Sequence, residues 1–141
     1  MEIAILFWTM MLAACGYAVF LGGWEGKSTA GIFVIASIAT ILANRWFDIH
    51  WHQTNMAVFG IDLATFAGMY LVAARSRRWW PLWVAAFQLN SVAAHIATLI
   101  SPEFSNLVYQ GYEGLWAIPC ALAMVIGIFR DRLWKYQYEF A

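Results

Sequence analysis

Charged side chains are scarce in this sequence, and their scarcity excludes most classes of soluble protein. Only 11 % of the 141 residues are charged, whereas soluble domains have roughly a quarter. Eight basic residues are balanced by eight acidic ones, so no excess of positive charge indicates a nucleic-acid partner. Because 63 % of the residues are apolar, most of the surface must face lipid. The composition therefore predicts a membrane protein whose main partner is the bilayer.

Cysteine and proline are also rare. Cys15 and Cys120 both fall within apolar runs, which predicts buried thiols rather than a disulfide framework. Pro81 falls in the first turn of a predicted helix, and Pro102 follows the end of that helix. Pro119 falls inside the last apolar run, where we expect a kink. With so few breaks, the apolar residues form long uninterrupted segments.

Five apolar segments are each long enough to cross a bilayer. The predicted helices run over about 3–21, 29–48, 55–74, 79–100 and 106–130. Ser28 and Thr29 have the side chains of N-cap residues and predict the start of the second helix. Because the connections are short, consecutive helices should pack antiparallel. The sequence predicts an all-α membrane protein, a compact bundle of five transmembrane helices in a single domain over residues 1–141.

The basic residues predict the orientation of this bundle. With five crossings, Arg45 falls alone on one side, and the other basic residues share the opposite side: Lys27, Arg75, Arg77, Arg78, Arg130, Arg132 and Lys135. Basic residues near membrane spans are retained on the cytoplasmic side. We therefore expect the N-terminus outside and the C-terminus in the cytoplasm.

Polar residues recur at helical spacing on four of the predicted helices. The stripes are Ser37, Thr40, Asn44 and Asp48; Asn55, Asp62 and Thr65; Gln88, Ser91, His95 and Thr98; and Gln110 and Glu113. Residues three and four apart share one face of a helix, and polar faces turn inward in lipid. The candidate site for a ligand or a proton comprises six residues on these faces: Asp62, His95, Glu113, Asp48, Gln88 and Asn44.

Two kinds of cofactor are compatible with this set of residues. Imidazole and carboxylate groups together suit a transition metal, and the candidate ligands are His50, His52, His95 and Glu113. A tetrapyrrole on His95 is the less favoured interpretation, because the small residues that precede this histidine would let a flat macrocycle approach the helix. The alternative without any ligand is a structural network of hydrogen bonds between helices.

Two stretches of the chain resemble a group of short uncharacterised inner-membrane proteins from alphaproteobacteria. The first is the Arg-Trp-Trp-Pro-Leu-Trp segment over 78–83, which continues through Gln88 to His95. The second is Glu-Gly-Leu-Trp over 113–116, which continues to Arg130. The resemblance implies a multi-pass protein of the bacterial inner membrane, and it implies no function and no site residues.

Together these features predict a small integral inner-membrane protein with a buried polar site that opens to the non-cytoplasmic side. The site would bind a small ligand, a metal or a proton. The first alternative is an accessory or assembly subunit of a larger membrane complex or homo-oligomer, and the second is a holin-like pore-forming protein. An enzyme is not excluded, although the sequence has no recognisable pair of nucleophile and base.

Overall fold

The computed structural model describes residues 2–46, 56–100 and 115–139, with side chains over 5–45, 56–100 and 115–135. These residues form five helices: α1 (Glu2–Leu21), α2 (Gly23–Trp46), α3 (Met56–Arg75), α4 (Trp80–Ile100) and α5 (Ala117–Glu139). The prediction of an all-helical chain is confirmed for this part of the sequence. Each helix packs against the next along the chain, and α5 also packs against α1, so the five form a closed ring.

Three of the helices are long and apolar enough to cross a membrane. They are α2 over Gly23–Arg45, α3 and α4, and α1 adds a shorter apolar stretch over Ile5–Leu21. Large apolar side chains cover the outer surface of the ring; for example, Phe20 is 85 % exposed and Ile35 is 70 % exposed. So much contiguous apolar surface is unusual on a protein in water. Both observations agree with a membrane protein.

The centre of the bundle is packed with small and flexible apolar side chains from all five helices. Ala18, Cys120, Met124 and Ile128 are fully buried there. The Cys120 thiol also donates a hydrogen bond of 3.5 Å to the Val84 carbonyl, which joins α5 to α4. Small residues let helix backbones approach closely, which is the main source of attraction between helices in lipid.

The turn between α1 and α2 is tighter than the sequence predicts. The prediction that Ser28 and Thr29 start the second helix is wrong, because α2 begins at Gly23 and both residues lie inside it. Gly23 has a φ of 68°, a left-handed conformation that favours glycine at a helix end. A Cβ atom on Gly22 would lie 2.6 Å from the Ala18 carbonyl oxygen. Two adjacent glycines therefore reverse the chain without a loop that needs its own N-cap.

The last helix also differs from its predicted bounds. The described helix α5 begins at Ala117, so Pro119 lies in its first turn, where a missing N–H group costs no helical hydrogen bond. Leu115 is helical and Trp116 lies in a turn just before α5, and the kink within the predicted segment stays a prediction. The helix continues to Glu139, past the predicted end near residue 130. Residues 106–114 of the predicted segment lie outside the described residues.

A close contact between α4 and α5 depends on Gly127. A Cβ atom at this position would overlap the side chain of Trp80, which is itself buried at the start of α4. The indole ring therefore lies directly on the backbone of α5.

We expect Gly127→Ala to lower the free energy of unfolding by at least about 1 kcal/mol, because overfilling a packed contact forces neighbours to move. Gly16→Ala is the matched control, since nothing lies within 4 Å of a Cβ atom built there. Thermal unfolding of both variants in detergent micelles checks this. Equal melting temperatures for the two variants would contradict the packing described here.

An ionic cluster links α2, α5 and the turn between α3 and α4 at one end of the bundle. This basic end is where α1 meets α2 and α3 meets α4. Arg78 contacts Glu25 of α2 through Nε and Oε1 at 3.5 Å and Asp131 of α5 through Nη1 and Oδ2 at 3.4 Å. Ser76 donates a hydrogen bond of 3.2 Å to the same Glu25 oxygen and accepts one of 3.0 Å from the Arg78 amide. Arg78 therefore has a structural role in addition to its part in the predicted orientation.

The two carboxylates of this cluster have different surroundings. The Glu25 side chain is 7 % exposed, whereas that of Asp131 is 35 % exposed. Asp131 lies beyond the predicted fifth span, and burial raises the pKa of its carboxyl above the ordinary value, against the opposing attraction of the Arg78 guanidinium. Since the folded state thus binds a proton at Asp131 more readily than the unfolded state does, ionised Asp131 does not itself favour folding at neutral pH.

Candidate functional site

Asp62 is set apart by its position along the chain. It is the only Asp, Glu, Lys or Arg within the apolar parts of the described helices. These parts are residues 5–24, 28–44, 56–74, 79–100 and 115–129. A carboxylate inside a membrane-spanning helix costs about 2.5–3.5 kcal/mol on the insertion scale. Such a residue is stable there only if neighbouring groups provide hydrogen bonds or water.

Three residues of α4 provide those hydrogen bonds. Ser91 donates to Oδ2 of Asp62 at 2.7 Å, and Nε2 of His95 lies 3.0 Å from the same oxygen. Gln88 donates to the other oxygen, Oδ1, in a longer contact of 3.4 Å. The spacing of three and four residues puts all three side chains on the face of α4 that packs against α3.

His95 is held rigidly in this arrangement. Its side chain is completely buried, and the ring of Phe59 packs against it with centroids 5.6 Å apart. One proton must lie in the contact between His95 and Asp62, because neither a bare imidazole nitrogen nor a carboxylate can donate. The two side chains are therefore linked by one shared proton.

Asp62 also faces a cavity of about 300 Å³. The cavity lies in the half of the bundle opposite the basic end, where α1 and α3 begin and α2 and α4 finish. The Asp62 side chain is 19 % exposed, in contrast to the buried His95 behind it. The carboxylate is thus the group of this pair that a molecule in the cavity would meet.

The cavity combines polar and aromatic walls. Its polar groups come from three helices: Ser37 and Thr40 of α2, Asp62 and Thr65 of α3, and Gln88 and Ser91 of α4. Its aromatic lining comprises Phe7, Trp8, Phe33 and Trp116. None of the described residues that line it is basic. Among these residues the cavity therefore has one acidic group and no basic one, and His95 behind the carboxylate is the only described group in contact with it that can carry a positive charge.

The structure brings together three of the six candidate residues, namely Asp62, His95 and Gln88. Asn44 does not join them; it is exposed near the end of α2 and does not line the cavity. Asn44 lies on the same helical stripe as Ser37 and Thr40, but one turn further toward the end of α2 and beyond the cavity. Asp48 and Glu113 lie outside the described residues.

The two cofactor interpretations receive no support from the described geometry. Within the part of the chain that the structure describes, no three His, Cys, Asp or Glu side chains come together in a group that could hold a metal ion. Two of the candidate ligands, His50 and His52, lie outside that part, as does Glu113. A tetrapyrrole on His95 fits poorly, because Nε2 already contacts Asp62 and Phe59 covers the ring.

The aromatic walls of the cavity are the part of the site that the sequence does not predict. Phe7 and Trp8 lie in α1, which is almost entirely apolar, so no periodic contrast marks them as lining residues. Phe33 lies one turn before Ser37, on the polar stripe of α2, and this spacing is the signal that could have identified it. Trp116 stacks on Phe87 with ring centroids 6.5 Å apart, and its place follows from the packing of α5 on α4. For Phe7, Trp8 and Trp116 the only available signal was the number of aromatic residues, which a membrane interface explains equally well.

Comparison with known proteins identifies no relative of this chain. No protein-family model matches the chain, and no curated protein or solved structure matches it.

Proposed function

We propose that this protein is a small multi-pass protein of the bacterial inner membrane that binds a small ligand or a proton at Asp62, from the non-cytoplasmic side. The observation that carries the proposal is the Asp62–His95 contact of 3.0 Å at the wall of a cavity of about 300 Å³. Ligand pockets typically have volumes of about 300–1,000 Å³. The cavity suits a small molecule.

The closed ring of helices supports five membrane spans. Because α2, α3 and α4 are apolar enough to cross a bilayer, we infer that the helices packed along them occupy the same layer. Both α1 and α5 belong to the common core, in which Met11, Met69 and Met124 are buried. The basic residues of the described chain support an orientation with the basic end in the cytoplasm, and the cavity then lies in the outer half of the membrane.

Each residue of the site has a distinct role in this proposal. Asp62 is the acceptor that a ligand or a proton meets. Ser91 and Gln88 are positioning residues that hold the carboxylate through hydrogen bonds. His95 shares a proton with Asp62 and is shielded from the cavity. A structural network alone does not require the carboxylate to be reachable from a cavity, and this accessibility favours a binding role over the purely structural alternative.

A cysteine at Thr40 tests whether the cavity is open to water. Thr40 lines the cavity, whereas Ile38 of the same helix is 53 % exposed on the outer surface of the ring. In a chain with Cys15→Ala and Cys120→Ser, we expect an uncharged, water-soluble thiosulfonate to modify Thr40→Cys at least about tenfold faster than Ile38→Cys. The physical reason is that the reaction requires a thiolate, which forms in water but not in lipid.

The measurement is the rate of modification of each variant in right-side-out membrane vesicles, followed by mass spectrometry. Unfolded protein gives equal rates at both positions, so the melting temperature of each variant serves as the control for folding. If folded Thr40→Cys is as unreactive as Ile38→Cys, the cavity is closed and the proposed function is wrong.

An accessory subunit of a larger membrane complex is the second candidate function. The observation that favours it is an apolar groove of about 840 Å³ between α4 and α5 at the basic end, flanked by Trp79, Trp83 and Trp134. These rings are exposed, although tryptophan at a membrane interface has the same appearance without any partner. A holin-like pore has less support, because Asp62 is held by specific partners inside a closed ring of helices.

A further inference from the structure

The lining of the cavity specifies the chemical class of its ligand. This inference rests on the proposed function, since it assumes that the cavity is open to a ligand. It is based on three properties of the cavity: the charge of its lining, its aromatic walls and its volume.

The charge of the lining excludes an anion and favours a cation. Asp62 is the one charged residue among the described residues that line the cavity. Its three partners in α4 occupy three of the roughly four acceptor positions of a carboxylate. A further donor from a ligand thus has a place to bind, and a positively charged donor is favoured most, because the walls screen the carboxylate poorly compared with water.

The aromatic walls favour an organic cation over a metal ion. Trp8 and Trp116, with Phe7 and Phe33, line the same cavity as the carboxylate. Aromatic faces attract ammonium groups through their ring quadrupole, and sites for quaternary ammonium ligands are commonly built this way. A hard metal ion such as Ca²⁺ instead requires about six to eight oxygen ligands, and a single carboxylate among apolar rings does not supply them.

The volume indicates a ligand of several heavy atoms. About 300 Å³ is many times the space that one water molecule takes up in the liquid, about 30 Å³. A path for protons alone needs only a chain of water molecules. From these observations we infer that the cavity binds a small organic monocation, with its ammonium group against Asp62 and its alkyl groups against the rings of Trp8 and Trp116.

Charge-selective modification of Thr40→Cys tests this inference. The reagents are the trimethylammonioethyl and sulfonatoethyl thiosulfonates, which are cationic and anionic and do not cross membranes. After correction for their rates with a free thiol, we expect the cation to react at least about tenfold faster, a factor that corresponds to about 1.4 kcal/mol. Asp62→Asn in the same background should reduce this ratio to about one.

Tetramethylammonium chloride should slow modification by the uncharged reagent, whereas sodium chloride at equal ionic strength should not.

The outcomes separate the two proposals. If the uncharged reagent modifies Thr40→Cys but the charged reagents react at equal rates and tetramethylammonium gives no protection, the cavity is open and the inferred cation selectivity is wrong. If the uncharged reagent does not react, the proposed function fails as well. A charge preference that persists in Asp62→Asn would overturn the role given to this carboxylate.

Discussion

Replacing Arg78 by alanine is expected to lower the free energy of unfolding by about 2 kcal/mol. The change leaves the buried carboxylate of Glu25 with the Ser76 hydroxyl but without the guanidinium that now lies 3.5 Å away. Removing one partner of a fully buried pair costs about 3–5 kcal/mol. Because the Arg78 side chain is 36 % exposed, water screens part of the interaction, and we place the expected loss below that range.

A double-mutant cycle separates this charge effect from general damage to the helix ends. Glu25→Gln removes the buried charge, so Arg78→Ala should cost clearly less in the Glu25→Gln background than in the wild type. Asp131→Asn is the matched control on the other side of Arg78. Since burial raises the pKa of the Asp131 carboxyl, its neutralisation should leave stability at pH 7 unchanged or slightly raised. Unfolding in mixed micelles measures all four variants, and equal costs of Arg78→Ala in both backgrounds would contradict the pairing.

This ionic cluster shows a limit of prediction from the sequence. The sequence alone indicates that Arg78 is an orientation signal, because it lies in a basic loop. Nothing near it along the chain indicates a partner. Its acidic partners, Glu25 and Asp131, come from distant helices. Only the ring arrangement, in which α5 returns to pack against α1, brings the three residues to the same end of the bundle.

The helices themselves were largely predictable, since long apolar runs in the sequence coincide with most of α1, α2, α3 and α4. Their ends were harder to predict. Ser28 and Thr29 carry the chemistry of an N-cap, yet the close approach of Gly22 to Ala18 completes the turn earlier. Tertiary packing thus overrode a local preference.

The polar part of the site was predictable for a different reason. In an apolar helix, a polar residue contrasts with every neighbour, so the spacing of Gln88, Ser91 and His95 defines a face directly. The same contrast identified Asp62 on α3. Most of the aromatic lining lacks this contrast, because Phe7 or Trp8 in the apolar helix α1 is equally suited to face lipid, the core or a cavity.

Replacing Asp62 by leucine is expected to have the largest effect on stability among changes at the site. Leucine provides no acceptor for Gln88, Ser91 and His95, all of which are buried. If each lost hydrogen bond has the average value measured between helices in lipid, about 0.6 kcal/mol, the total loss is about 2 kcal/mol. If the three donors behave as unsatisfied buried groups at about 1–3 kcal/mol each, the total loss is about 3–9 kcal/mol, which is comparable with the whole stability of a small domain. Asp62→Leu should therefore unfold at a clearly lower temperature than the wild type or fail to accumulate.

Asp62→Asn is the variant that separates a binding role from a purely structural one. Asparagine keeps the shape and one carbonyl acceptor but removes the charge, so its stability should stay close to that of the wild type or rise. A structural network can keep its hydrogen bonds in this variant, because the asparagine carbonyl accepts from Ser91 and His95 and the Gln88 amide can turn to accept from the asparagine NH2 group. A cation site needs the charge, so in the Thr40→Cys background Asp62→Asn should keep its melting temperature and its modification by the uncharged reagent while losing the preference for the cationic one. If Asp62→Asn instead destabilises the chain as strongly as Asp62→Leu, the carboxylate charge is itself required for packing, and the buried network, rather than a ligand, explains why an acidic residue lies inside this bundle.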